Sequence, residues 1–520
     1  MSDYLRRLAT TGAAYTASSV LSKIIAVALL PLYTRYLTPT DYGAAEVLFA
    51  AVVAASIVIR LGAIEALLRF YYKAGEDPGR VIATSFAALF WAATAGALVA
   101  LPFAAPISDA LLDRHDPGLV RVAIGGLWTL TLFEYLLTIF RLEERARAYF
   151  FTTAASVLVT IPVTVALVVG ADEGARGLLL GSYGTGAAFV LGLIAMHRRR
   201  LSLAVDSPLL GRMLRFGLPT MPAELSLYSL NFIDRIILVR YAGLAEAGLY
   251  SLAVKFAQAV NVLVRGFQLA WPPLAYSIRD DDEARRAYAV IVTWFVAGCT
   301  FVVTGMWLLS RWIVRALAAP EFFDSFEAIG LLATGVTLYA LYMVLVVILG
   351  RTGRTGFNFP ATAAATVSNV ALNLILVPPL GIVGAGIALV ASYVVVLVLM
   401  YAFTQRLFAV PYQWARLARV VLVAALLVGL GELLLPTAGA AGLAGRLGLW
   451  AAYPLVLWAS GFLTPAERQA LSALARPREL VGGLRALRAA TGSAPGTATA
   501  SPSAVPEVYE AEVRDEDSRL

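Results

Sequence analysis

Charge is scarce in this chain of 520 residues: Asp, Glu, Lys and Arg make up 14%, against about 25% in a soluble domain. Cysteine occurs once, at Cys299, and histidine twice, at His115 and His197. A lone cysteine excludes an intrachain disulfide, and two histidines far apart in the chain suggest no metal site. No glycine-rich phosphate loop and no nucleophile motif is present. The longest expected outer gap, near 107–118, holds Asp109, Asp113, His115 and Asp116 and is too short to build a site on. The expectation is a protein that is not an enzyme and carries no cofactor.

What the chain has instead is apolar length. It is 60% hydrophobic, and a helix needs about 20 mostly apolar residues to cross the hydrocarbon core. Such runs lie near 12–33, 43–64, 82–106, 119–140, 150–170, 176–196, 216–238, 246–270, 288–313, 327–349, 358–378, 382–404, 417–436 and 443–463. The fold class expected is therefore an all-α integral membrane protein of about fourteen transmembrane helices. The shortest connections are at 171–175 and at Pro378-Pro379, and fusing either pair would change the count.

The net charge of +7 invites a nucleic-acid reading. The basic residues, however, fall in short gaps between apolar runs, where membrane topology accounts for them, so no nucleic-acid partner is expected. With a cytoplasmic N-terminus, 21 Lys and Arg fall on inside segments before the C-terminal tail and 8 on outside ones, the latter including Arg35, Arg240, Arg311, Arg315 and Arg446. That bias predicts both termini inside. Arg6-Arg7 and the long run after them read as a signal-anchor rather than a cleaved peptide. Residues 464–490 mix Leu, Ala and Arg and are predicted to lie on the cytoplasmic surface as an amphipathic segment. Residues 491–520, rich in Ala, Ser, Thr and Pro and then acidic, are predicted to be a disordered tail.

The chain also repeats itself. Arg35-Tyr36, Asp41, Gly43 and Arg60 match Arg240-Tyr241, Glu246, Gly248 and Arg265, all at an offset of 205. Ala154 to Val157 match Ala364 to Val367, Gly174-Ala175 match Gly384-Ala385, and Ser182-Tyr183 match Ser392-Tyr393, at an offset of 210. A set in register over six helices predicts two homologous six-helix lobes, 1–200 and 201–408, around a central cavity, followed by two extra helices in 409–463. Six is even, so the repeat is parallel, and two such lobes rocking about a central cleft give alternating access.

Candidate site residues are the charges inside these runs: Lys23, Arg60, Arg235, Lys255 and Arg265, all basic. A charge at the bilayer centre costs about 2.5–3.5 kcal/mol on the mildest scale, so a polar cavity between helices is the natural place for several. A cavity of that sign suits an anionic cargo. Arg60 and Arg265 occupy equivalent places in the two lobes, and guanidinium groups grip phosphate bidentately. Snorkelling to the interface is the competing role for both, and for Lys255 near a helix end. Asp234 beside Arg235 reads either as a structural ion pair or as a counter-ion site. Asp234, Glu46, Glu65, Glu134 and Glu224 are candidates for coupling to an ion, since a carboxylate that loses its arginine binds a proton more readily. Asn369 and Asn373 share a helix face that can bond sugar hydroxyls or glue helices together.

Three stretches together resemble a known family: LPLYTRYLTPTDYG (30–43), LNFIDRIILVRYAGLAEAGLYSLAVKFAQ (230–258) and NVALNLILVPPLGIVGAGIALVASY (369–393). They are similar to the polysaccharide-transporter branch of the multidrug/oligosaccharidyl-lipid/polysaccharide exporter superfamily, which includes O-antigen-type flippases. The resemblance covers about residues 5–460. It implies a V-shaped cavity and a bacterial inner-membrane location. The implied cargo is undecaprenyl-pyrophosphate-linked oligosaccharide, moved to the outer leaflet for cell-surface polysaccharide such as lipopolysaccharide O-antigen. It further implies coupling to H+ or Na+ without ATP. Membrane lipids and other polysaccharide-synthesis proteins are the expected partners, and the chain is expected to be a monomer. Two alternatives stay open: a flippase of peptidoglycan precursor or teichoic-type lipid, and a membrane polymerase or ligase of lipid-linked glycan.

Overall fold

Helix starts are written into the chain as a cap followed by proline. A computed structural model describes residues 29–73, 75–465 and 467–468. In it, Thr38, Asp77 and Asp116 each accept a backbone N–H with the side chain, and Pro39, Pro78 and Pro117 open the helices that follow. Proline at the first position loses no hydrogen bond and is already set in φ. The helices are α1 (Leu30–Tyr36), α2 (Pro39–Arg60), α3 (Ala63–Tyr71), α4 (Pro78–Ala100), α5 (Ala104–Leu112), α6 (Pro117–Leu142), α7 (Ala146–Val165) and α8 (Gly174–His197). After the linker helix α9 (Ser207–Gly217) come α10 (Met221–Ala242), α11 (Leu244–Ala257), α12 (Asn261–Ser277), α13 (Asp281–Leu317), α14 (Phe326–Arg351), α15 (Asn358–Leu407), α16 (Trp414–Leu434) and α17 (Gly439–Ala459). No strand occurs among the described residues.

Ten of the described helical segments are long and apolar enough to cross a membrane, or eleven if the pair bent by 50° near Val260 counts as one span. This is a multi-pass membrane protein. The expected count of fourteen is not reached by length and hydropathy alone, for three physical reasons. Most of the run at 12–33 lies outside the described residues. Helix α10 carries Glu224, Asp234, Arg235 and Arg240, too many charges for an apolar span. The 50-residue stretch α15 counts once there, although its backbone leaves the helical region at Gly381 (φ 51, ψ −130), three residues past the expected Pro378 boundary, and so joins two helices across a kink.

Two glycines at positions matched by the 205 offset meet in the packing. Gly43 on α2 and Gly248 on α11 stand backbone against backbone. A Cβ on Gly43 would run into the Leu244 carbonyl and lie 2.9 Å from Gly248 N, and one on Gly248 would run into the Pro39 carbonyl. Only glycine permits this approach. A second device occurs twice: a glycine of positive φ beside an acid at a helix start. Gly174 (φ 49) faces Asp41, and Gly381 (φ 51) faces Glu246, with Cβ positions 3.7 and 3.2 Å from the respective carboxyl atoms.

Side chains on the outside of the bundle are apolar and bare, Leu433 at 84% and Val367 at 69% exposure among them, as a lipid-facing surface requires. The core of the first half is a cluster around Phe86, Leu132, Tyr135 and Phe140. Arg446, assigned from the sequence to an outer loop, lies inside α17 and is 0% exposed. Its burial is possible because Glu432 on α16 pairs with it at 2.5 Å and with Arg311 on α13 at 2.9 Å. The compact unit holding all these helices ends at Ser460. In the second unit, Thr464 and Glu467 form a capping box: Glu467 Oε2 accepts from Thr464 N at 2.8 Å, and Thr464 Oγ1 accepts from Glu467 N at 3.3 Å. Most of the predicted amphipathic segment 464–490, and all of the tail 491–520, lie outside the described residues.

Candidate functional site

Helices α2 and α11 converge at the end marked by Gly43 and Gly248 and part toward the other. Between them opens a cavity of about 700 Å³. Its walls are built from Val53, Ile57 and Arg60 on α2, Glu134 on α6, Glu224, Tyr228 and Arg235 on α10, Tyr250 on α11, Asn261 and Arg265 on α12, Tyr339 on α14 and Tyr393 on α15. Three of the five predicted basic residues thus meet in one space. Arg60 and Arg265, matched at the 205 offset, both line it.

Each arginine has a different setting. Arg60 donates from Nη1 to Glu134 and from Nη2 to Glu224 at 3.0 Å, so it bridges a carboxylate of its own half and one of the other. Arg235 donates from Nε to Ser251 Oγ at 3.0 Å. Arg265 is exposed to the cavity.

Lys255 is placed differently. Its Nζ donates to Glu46 at 2.5 Å and sits 5.0 Å over the Tyr42 ring, closing the converged end between the halves. On the same side, Arg240 donates to Asp113 at 2.6 Å, and midway along α2 the cavity residue Tyr228 donates its hydroxyl to the Ala50 carbonyl at 3.0 Å. Glu65 lies in the first turn of α3, near the Arg60 carboxylates. Lys23 lies outside the described residues.

Asp234, Asn369 and Asn373 form a separate centre behind the cavity wall. Asp234 is 0% exposed. It accepts from Tyr250 at 2.7 Å and from Asn373 Nδ2 at 2.8 Å. Both Asn369 side-chain atoms and Asn373 Oδ1 are buried with no hydrogen-bond partner among the described residues. The asparagines therefore serve a buried carboxylate and do not line the cavity.

Residues 9–274 match the family described as polysaccharide biosynthesis protein. The chain belongs to that family. Among curated proteins it is 25% identical, over 328 residues, to the succinoglycan biosynthesis transport protein ExoT of Rhizobium meliloti (strain 1021). That match covers 61% of this chain and 64% of the relative, so the chain spans less than two thirds of that protein's length. Among solved structures the chain resembles the lipid II flippase MurJ in an inward closed conformation, with TM-score 0.59, 10% identity, and 86% of this chain and 99% of that one covered. It also resembles an inward-facing multidrug resistance MATE family transporter of the MOP superfamily, with TM-score 0.61, 14% identity, and 75% and 95% covered. At these identities the likeness establishes the fold alone: the chain shares the helical membrane architecture of those two proteins.

Sequence reasoning did not single out the cavity's tyrosines. Tyr228, Tyr250, Tyr339 and Tyr393 all stand on the second half's helices. Tyrosines inside apolar runs, with Gln258 and Asn261 where the eighth run breaks, were the available signal.

Proposed function

We propose that this protein is a flippase that carries an undecaprenyl-pyrophosphate-linked oligosaccharide from the cytoplasmic to the outer leaflet of the bacterial inner membrane. The observation that carries this reading is the meeting of Arg60, Arg235 and Arg265 in one cavity between two repeat-related halves. Guanidinium groups in a partly desolvated cleft suit a pyrophosphate, the part of such a cargo that always carries negative charge. The tyrosines and Asn261 suit a glycan, which stacks on rings and needs hydrogen bonds. The two halves correspond to residues 1–200 and 201–408, with both termini cytoplasmic, and they rock to expose the cavity to each leaflet in turn.

Coupling is assigned to the Asp234 centre. A buried carboxylate ringed by amide groups with spare donors and acceptors is a place where H+ or Na+ can bind. Tyr250 links it to the cavity, since its hydroxyl bonds Asp234 while its ring faces the cargo space. Asp234→Asn should leave flipping insensitive to an imposed H+ or Na+ gradient. Retained gradient dependence in that variant places coupling elsewhere.

The direct test follows fluorescent undecaprenyl-pyrophosphate oligosaccharide between leaflets of proteoliposomes. Arg60→Ala and Arg265→Ala are each expected to slow it by about tenfold or more, whereas Arg199→Ala, an exposed surface change, leaves the rate unchanged. Parent rates in both cavity variants would remove the cavity from the cargo path.

A further inference from the structure

The two repeat-related arginines stand in unlike surroundings. Arg60 is held from both sides by Glu134 and Glu224, and its side chain is only 13% exposed. One positive and two negative groups leave that corner net negative. Arg265 lines the same cavity, and no carboxylate lies within ion-pair distance of it among the described residues.

The reason lies in one helix. Helix α14 stands to the second half as α6 stands to the first, and both are 26 residues long. Helix α6 brings Glu134 to its arginine. Helix α14 carries Glu327 in its first turn, Arg351 in its last and no charged residue between them. The polar group it offers the cavity is Tyr339, close enough to feel the Arg265 charge.

We infer that the cargo's anionic group seats on the second-half wall, against Arg265 and Arg235, and that Arg60 is a latch between the halves. Tyr339 determines this asymmetry by being neutral where the first half supplies a carboxylate. A pyrophosphate approaching Arg60 meets the like charge of Glu134 and Glu224, and the guanidinium it needs is already occupied. Glu224 belongs to the other half, so it leaves only when the halves part. Arg60 becomes available to the anion after that step and not before.

This rests on the anion-cavity reading above, and the test separates the two. The probe is farnesyl pyrophosphate, whose binding to the full chain in nanodiscs is read by calorimetry. Tyr339→Glu should weaken binding by about tenfold or more, and the neutral Tyr339→Gln should stay within about threefold of the parent. Arg265→Gln should weaken binding by about tenfold or more, and Arg60→Gln, which removes no anion contact and only unmasks Glu134 and Glu224, should weaken it clearly less. Glu224→Gln should tighten it by about threefold or more.

Equal losses in Arg60→Gln and Arg265→Gln, or parent affinity in Tyr339→Glu, would overturn the asymmetry while leaving the anion cavity standing. Equal losses in Tyr339→Glu and Tyr339→Gln would assign Tyr339 to packing and overturn it as well. A parent protein that does not bind the probe would bring down the anion cavity itself, and this inference with it.

Discussion

At the scale of single residues, ionic side chains in the bundle are tolerated in proportion to the partners they find. Arg446 is the strongest case: it is fully buried, stacked 5.4 Å over Trp312 and paired to Glu432, which also holds Arg311. Removing one member of a buried pair is more costly than removing both, because it strands a charge. Glu432→Gln should lower stability by about 3 kcal/mol, and Glu432→Gln with Arg446→Met should recover part of that loss, as read from thermal unfolding in detergent. Equal destabilisation in the single and double variants would contradict the pairing. The sequence made the charges legible, since a lone Arg in an apolar run is conspicuous, and it paired Arg60 with Arg265 while grouping both with Lys23, Arg235 and Lys255. It could not reveal the partners. Glu134 and Glu224 lie 74 and 164 positions from Arg60, and Glu46 lies 209 from Lys255. Such choices are fixed by packing and not by spacing along the chain. Arg446 was misplaced for the same reason, because its exposure depended on a carboxylate in another helix.

At the scale of elements, the repeat that could be read from matched residues becomes physical contact at Gly43 and Gly248. Gly43→Ala would push a methyl group into the Leu244 carbonyl. It should open the converged end, seen as a wider distance between spin labels on α2 and α11, and an unchanged distance would show that the close approach is dispensable. The linker helix α9 is fastened to the first half: Asp206 pairs with Arg80, and Arg212 reaches Glu76 at 2.8 Å. Helix α9 is thereby tied to that half, and the turn at Leu218–Thr220 follows it. Asp206 also caps α9, accepting from Leu209 N at 3.1 Å; that bond, together with Arg80, holds its carboxyl below the usual range. A lowered folded-state value gives stability that is present above the unfolded value and is lost as pH falls through the folded one. The protection of α9 amides, after correction for the intrinsic pH dependence of exchange, should fall on acidification, and Asp206→Asn should weaken that dependence. The break between the runs 358–378 and 382–404 was legible from Pro378-Pro379, because such a pair usually ends a helix. The turn itself falls at Gly381, whose positive φ only glycine takes readily, and a second helix follows it directly.

At the scale of the whole molecule, the converged end is closed by contacts that all cross between the halves: Gly43 with Gly248, Glu46 with Lys255, and Asp113 with Arg240. The proposed alternating access requires every one of them to break in each cycle, and the Arg60–Glu224 bridge at the opposite end of α2 to break as well. The most direct measurement joins the halves at the closed end. With Asp113→Cys and Arg240→Cys in a Cys299→Ser background, a reducible bis-methanethiosulfonate linker ties the two side chains. Flipping of fluorescent undecaprenyl-pyrophosphate oligosaccharide is then followed in proteoliposomes. The account predicts that the linked protein stops and that reduction restores the rate of the unlinked variant. Flipping at an undiminished rate while the linker is intact would contradict it.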